Sequence, residues 1–110
     1  MIRIPLSSAA AALLRALIAR TGASRDRILL SEARSTEWQS LTLIGERHLL
    51  RLRVPGAGAD AIVRNLVAGI EDAEFRIPGQ IVADIAVVGS AERNDDGSIT
   101  VSLEALTIQE

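Results

Sequence analysis

The stretch His48-Leu-Leu-Arg-Leu-Arg-Val54 decides the fold class, because its apolar and polar residues alternate. The even positions from Leu50 to Val54 lie on one side of an extended chain, and the odd positions, which include Arg51 and Arg53, lie on the other. This alternation is typical of an antiparallel strand with one buried face. Pro55-Gly56-Ala57-Gly58 then breaks the strand.

A second alternating stretch closes the chain and predicts the partner strand. Asn94-Asp-Asp-Gly97 is a hairpin signal, since glycine adopts positive φ readily. After it, residues 98–108 alternate between inward apolar positions (Ile99, Val101, Leu103, Ala105) and outward polar positions (Thr100, Ser102, Glu104). Shorter apolar runs predict two more strands, one over residues 27–33 and one over residues 81–88.

Two helices complete the predicted element order. Residues 8–20 carry one apolar stripe, with Ser7 or Ser8 placed to cap its start and Gly22 its end. Residues 59–73 carry a stronger stripe, with Gly69 inside the predicted helix. The order αββαββ indicates an α+β domain over residues 1–110, a four-stranded mostly antiparallel sheet with both helices on one face.

Composition excludes several kinds of chemistry. The 110 residues contain no cysteine, which excludes disulfides, thiolate zinc sites and a thiol nucleophile. A single histidine, His48, makes a multi-histidine metal site or a Ser-His-Asp triad difficult to build in one subunit. The net charge of −2 does not predict non-specific nucleic-acid binding. We therefore expect a non-enzymatic protein with no cofactor, no metal, no sequence-specific nucleic acid and no membrane partner.

His48 and a group of acidic residues are candidate chemical sites, and each has a simpler structural interpretation. His48 as a general base lacks a nucleophile in a recognisable motif nearby, so we interpret it as a strand residue. Four acidic residues could be imagined around magnesium: Asp84, Glu92, Asp95 and Asp96. Asp95 and Asp96 fit a turn better, and Asp84 interrupts an apolar strand.

The sheet face away from the helices is the predicted interaction surface. It carries a mixture of polar and apolar side chains: Leu49, Arg51, Arg53, Thr100, Ser102, Glu104 and Leu106. Such a face is either solvated or covered by another subunit. The predicted residues of a subunit or partner interface are Trp38, Arg47, Arg51, Arg53 and Glu104. Trp38 in the core is the alternative for that residue. For the three arginines we predict cross-strand or inter-subunit ion pairs, with Glu46 and the outward Glu104 nearby, and phosphate binding is the alternative.

The succession of motifs resembles the tail-terminator family of long-tailed bacteriophages, with the tail-completion proteins of gene transfer agents as the most similar subgroup. The first motifs are Leu13-Leu14-x-x-Leu17, Ile28-Leu-Leu-Ser-Glu-Ala33, Thr36-Glu-Trp38 and Gly45-Glu-Arg-His48-Leu-Leu-Arg-Leu52. Later ones are Ala59-Asp-Ala-Ile-Val-Arg-Asn-Leu66, Asn94-Asp-Asp-Gly97 and Leu103-Glu-Ala-Leu-Thr-Ile108. The resemblance spans nearly the whole chain through order and spacing, with no catalytic signature.

The resemblance implies a structural role. Such proteins assemble as a ring, usually of six subunits, on the head-proximal end of the tail tube. The ring ends tube polymerisation and offers a surface for head attachment. The implied partners are other copies of the chain, the major tail tube protein and the head–tail connector protein. The implied location is the cytoplasm during assembly and then the finished particle. Two other functions stay open: a different head–tail joining protein of the neck, or a small α+β binding module that uses the open sheet face.

Overall fold

A computed structural model describes residues 4–110. The helices are α1 (Ser8–Thr21) and α2 (Ala59–Val67). The strands are β1 (Leu29–Gln39), β2 (Ile44–Val54), β3 (Gln80–Val87), β4 (Glu92–Arg93) and β5 (Ile99–Gln109). Single 3₁₀ turns cover Arg25–Arg27 and Ile70–Asp72. No helix in this part of the chain is long and apolar enough to cross a membrane.

The strands form one antiparallel sheet in the order β1-β2-β5-β3, and the two-residue β4 pairs with the beginning of β5, at Ile99 and Thr100. The alternating stretches predicted from sequence are the two central strands, with Leu50 opposite Leu103 and Leu52 opposite Val101. Bulges interrupt the two outer strands, between Leu30 and Glu32 in β1 and between Val82 and Asp84 in β3. The predicted α+β class is confirmed, with β4 as an additional short strand.

Both helices cover the same face of the sheet. Leu13 and Leu17 of α1 and Leu66 of α2 are buried in one cluster with the inward side chains of β2 and β5. The Ser7 hydroxyl accepts the Ala10 N–H at 3.1 Å, and Gly22 ends α1 in the left-handed region at φ 73°. These two caps set the length of α1.

An arginine joins the two helices. The Arg20 Nε donates to the Leu66 carbonyl at 3.0 Å, and its Nη2 donates to the Ala68 carbonyl. Both carbonyls lie at the end of α2, where helix carbonyls lack partners within the helix. The side-chain amide of Asn65 donates to the Thr21 carbonyl at 3.3 Å. Carbonyls at the end of each helix therefore accept hydrogen bonds from a side chain of the other helix.

The first strand is longer than the sequence pattern predicted. The predicted strand ends at residue 33, before a polar stretch from Arg34 to Ser40, but β1 continues through Trp38 to Gln39. Residues 34–37 are exposed on both faces of this edge strand, so they carry no pattern of burial. Backbone pairing with β2, such as Ser35 opposite His48, keeps them extended.

The second helix is shorter than predicted. It ends at Val67, whereas the apolar stripe continues to Ile70. Gly69 lies outside the helix with φ 63° and begins the 3₁₀ turn that follows. That turn keeps Ile70 buried, at 3% exposure, so the helical spacing of apolar residues continues past the end of α2.

Candidate assembly surface

The sheet face opposite the helices is open and carries a row of charged residues. Arg47, Arg51 and Arg53 lie on this face of β2, at the odd positions that alternate with the buried residues Leu50 and Leu52. The predicted division of β2 into two faces is therefore confirmed. The three arginines differ in their partners.

Two of the arginines bind within the chain. Arg51 lies 3.7 Å from the Glu32 carboxylate across the β1–β2 pair. The Arg53 Nε donates to the Ser98 hydroxyl at 3.0 Å, and its Nη2 pairs with Asp96. Sequence reasoning had placed Glu46 and Glu104 near these arginines. Glu46 instead lies on the helix side of the sheet, because side chains alternate along β2 and Glu46 faces the same side as His48, opposite to Arg47.

Asp96 orders the hairpin that faces Arg53. Its Oδ1 accepts the Ser98 N–H at 3.0 Å and the Ser98 hydroxyl at 2.6 Å. These bonds, and then the charge of Arg53, hold the pKa of Asp96 below its ordinary value. The interpretation of Asp96 as a turn residue is consistent with this geometry. Within residues 4–110, no three acidic or histidine side chains group closely enough to hold a metal ion.

Arg47 lies beside Arg34 and Glu104. The three side chains, with Leu49 and Thr36, line a shallow concavity of about 140 Å³ on the open face. Among the residues that the structure describes, neither Arg34 nor Arg47 has a carboxylate within 4.0 Å. Two exposed arginines and one exposed glutamate thus share the concavity, and the arginines have donors available for a carboxylate on another molecule.

Trp38 lies on the same open face, at the end of β1. It is half-buried and is not part of the buried cluster beneath the helices.

The cross-strand partner of Trp38 is Gly45, which is opposite Ile108 of β5. A Cβ on Gly45 would lie 2.0 Å from the Thr107 carbonyl oxygen, so close strand packing requires glycine here.

The turn between β1 and β2 exposes apolar side chains that sequence reasoning did not identify as a surface. Leu41 is fully exposed, and Leu43 and Ile44 are 43% and 58% exposed. Ser40 closes the turn, since its N–H donates to the Leu43 carbonyl at 2.9 Å and its hydroxyl accepts the Leu43 N–H at 3.2 Å. The signal available in the sequence was Ser40-Leu-Thr-Leu43, which is too apolar for an ordinary solvated turn.

His48 lies at the centre of a hydrogen-bonded row that crosses three strands. Its Nδ1 is 2.7 Å from the Ser35 hydroxyl of β1, and its Nε2 is 2.8 Å from the Thr107 hydroxyl of β5. A neutral imidazole donates through one nitrogen and accepts through the other, and a hydroxyl can serve either nitrogen. Burial holds the pKa of His48 below its ordinary value, partly offset by the charge of Glu46.

The partners of His48 bear on its chemistry. Ser35 is exposed and lies within hydrogen-bond distance of His48, so it is a nucleophile candidate that no sequence motif marks. The other ring nitrogen of His48 bonds to the buried hydroxyl of Thr107. In a Ser-His-Asp triad this position is occupied by a carboxylate, which stabilises the charged imidazolium. The row satisfies all the polar atoms of a buried histidine, which fits a role in joining the three strands.

Comparisons with known proteins give a likeness to a solved structure and no match to a family. No protein-family model matches the chain, and no curated protein matches it. A chain in the solved virion of a native gene transfer agent particle is similar at 14% identity and a TM-score of 0.46, over 74% of this chain and 67% of that one. This likeness is too distant to assign a role.

Proposed function

We propose that this protein is a structural component of a phage-like particle, which caps the tail tube as a ring of identical subunits. In that role it ends tube polymerisation and presents the surface to which the head attaches. The family resemblance of the sequence motifs supplies the tail-tube role and the expected ring of six subunits. The partners in this proposal are further copies of the chain, the tail tube protein and the head–tail connector.

The observation that carries the assembly role is the apolar surface at the β1–β2 turn. Leu41, Leu43 and Ile44 are exposed together at one end of the domain. Contiguous exposed apolar side chains in a small domain are characteristic of surfaces that bind another protein. The open sheet face adds the charged patch of Arg34, Arg47 and Glu104. Arginine is enriched in interfaces because its planar guanidinium pairs with carboxylates in two-point contacts.

The same proposal assigns no catalytic role to the chain. The Ser35–His48 pair is completed by the Thr107 hydroxyl, which cannot stabilise a charged imidazolium as a carboxylate does. Burial also disfavours protonation of His48, which a general base must accept during catalysis. We interpret the row as a structural link between strands.

The test is tail morphology in cells that produce the particle and lack this gene. We expect tail tubes of uncontrolled length without heads, measured by negative-stain electron microscopy, and restoration by the wild-type gene. Arg47→Glu should restore poorly, whereas the matched control Arg64→Glu, an exposed arginine on α2, should restore fully. Tails of normal length that carry heads in the deletion strain would overturn the proposal.

A further inference from the structure

The surface of α1 that faces away from the sheet contains an apolar groove with basic edges. Its floor includes Leu6, Leu14 and Ile18, and it encloses about 300 Å³. Arg15 and Arg25 line the same groove, and both are exposed. Within residues 4–110, neither arginine has a carboxylate within 4.0 Å. We call this surface the α1 groove.

The turn between β1 and β2 has the complementary character. Its apolar side chains Leu41, Leu43 and Ile44, which we call the hairpin tip, are followed along the strands by two carboxylates, Glu37 and Glu46. These two glutamates are directly opposite each other on β1 and β2. Like charges at directly opposed positions destabilise a strand pair. In the part of the chain that the structure describes, neither glutamate has an arginine within 4.0 Å.

From this match we infer that the hairpin tip of one copy of the chain docks in the α1 groove of the next copy. This inference rests on the proposed ring, because it names the contact that would build it. The apolar tip would be removed from water against Leu14 and Ile18. Glu37 and Glu46 would meet Arg15 and Arg25, which relieves the repulsion between the two carboxylates.

The contact joins two different surfaces, so it is head-to-tail. A repeated head-to-tail contact forms a ring when its rotation closes on itself, and a helical filament when it does not. A contact between identical surfaces would stop at a dimer. The tip and the groove on each copy are therefore the two ends of one repeated junction.

Disulfide trapping tests this junction directly, because the natural chain contains no cysteine. The full-length Leu41→Cys variant is mixed with an isotope-labelled Ala19→Cys variant, whose cysteine lines the α1 groove. The matched control replaces the second variant with Ala61→Cys, which lies at an exposed position of α2. Mass spectrometry measures the rate at which mixed disulfide dimers form under mild oxidation.

We expect the 41–19 dimer to form at least about tenfold faster than the 41–61 dimer, the factor that corresponds to about 1.4 kcal/mol of preferential encounter. Adding Arg15→Glu and Arg25→Glu to the Ala19→Cys copy should remove most of that advantage. Adding Glu37→Arg and Glu46→Arg to the Leu41→Cys copy should then restore it. Equal rates for the two pairs would overturn the inference.

The outcome separates this junction from the proposed function. If the 41–19 rate shows no advantage and the wild-type chain still caps tail tubes, the junction is wrong and the capping role stands. If the advantage is present and tail length does not depend on the gene, the junction stands and the capping role falls.

Discussion

The hydrogen bond between Thr107 and His48 offers the sharpest test of the sheet's internal architecture. Thr107 is 0% exposed and His48 is 2% exposed, so no water replaces a lost partner at this position. Thr107→Val keeps the shape of the side chain and removes the hydroxyl that is 2.8 Å from His48 Nε2. The ring nitrogen then stays buried without a partner.

An unsatisfied buried polar group costs about 1–3 kcal/mol. We therefore expect Thr107→Val to lower the free energy of unfolding by about 2 kcal/mol, which lowers the Tm of a domain of this size by on the order of 10 °C. Urea unfolding followed by far-UV circular dichroism measures the free energy, and a thermal scan measures the Tm. The control is Thr36→Val at an exposed position of β1, which should change stability by less than about 0.5 kcal/mol.

A double variant separates the hydrogen bond from other effects of valine. Replacing both partners by apolar residues removes the unsatisfied atom, so Thr107→Val combined with His48→Leu should recover much of the loss. The remaining Ser35 hydroxyl is exposed and binds water instead. If Thr107→Val costs no more than Thr36→Val, His48 does not depend on this hydrogen bond, and the assigned role of the row is refuted.

Three further predictions concern other sites. Gly45→Ala should lower the free energy of unfolding in urea by about 2–3 kcal/mol, because its Cβ would lie 2.0 Å from the Thr107 carbonyl oxygen. The control Gly89→Ala has open space around it and φ 68°, so backbone strain alone should lower the same free energy by about 1 kcal/mol. Equal losses for the two variants would refute the close packing at Gly45. Arg47→Ala should change the free energy of unfolding by about 0.5 kcal/mol or less, because the side chain is exposed. It should still impair ring formation, measured by light scattering with tail tubes, and unfolding of this variant would contradict the assignment of Arg47 to the open face. Because the pKa of His48 is lowered in the folded state, the unfolded chain binds a proton more readily. The free energy of unfolding should therefore fall as the pH drops below about 6.5, by at most about 1.4 kcal/mol per pH unit. His48→Gln should remove this pH dependence between pH 7 and 5, and an unchanged pH dependence would show that another group causes it.

The elements that bury one face were predictable from the sequence. The alternation in β2 and β5 assigns Leu50 and Leu103 to the buried face of the sheet, and Ser7 and Gly22 mark the ends of α1. These signals are local, since each depends on side chains a few residues apart. The end of β1 was not predictable in this way, because residues 34–37 are exposed on both faces and have no burial pattern.

The contacts within the candidate site depend on strand register, which a single sequence does not reveal. His48 meets Ser35 from 13 residues away and Thr107 from 59 residues away. Arg53 was recognised as an outward charge, but its partner Asp96 lies 43 residues along the chain in a turn. Only the pairing of β1, β2 and β5 brings these groups together.

The proposed ring of subunits on a tail tube is tested most directly by the mass of the assembly. Tail tubes assembled from the major tail protein of the same particle are mixed with the full-length chain, and native mass spectrometry counts the bound copies per tube end. We predict one fixed number of copies, with six as the family resemblance implies, and no further tube growth. Single bound copies, or no binding to tube ends while growth continues, would contradict the account.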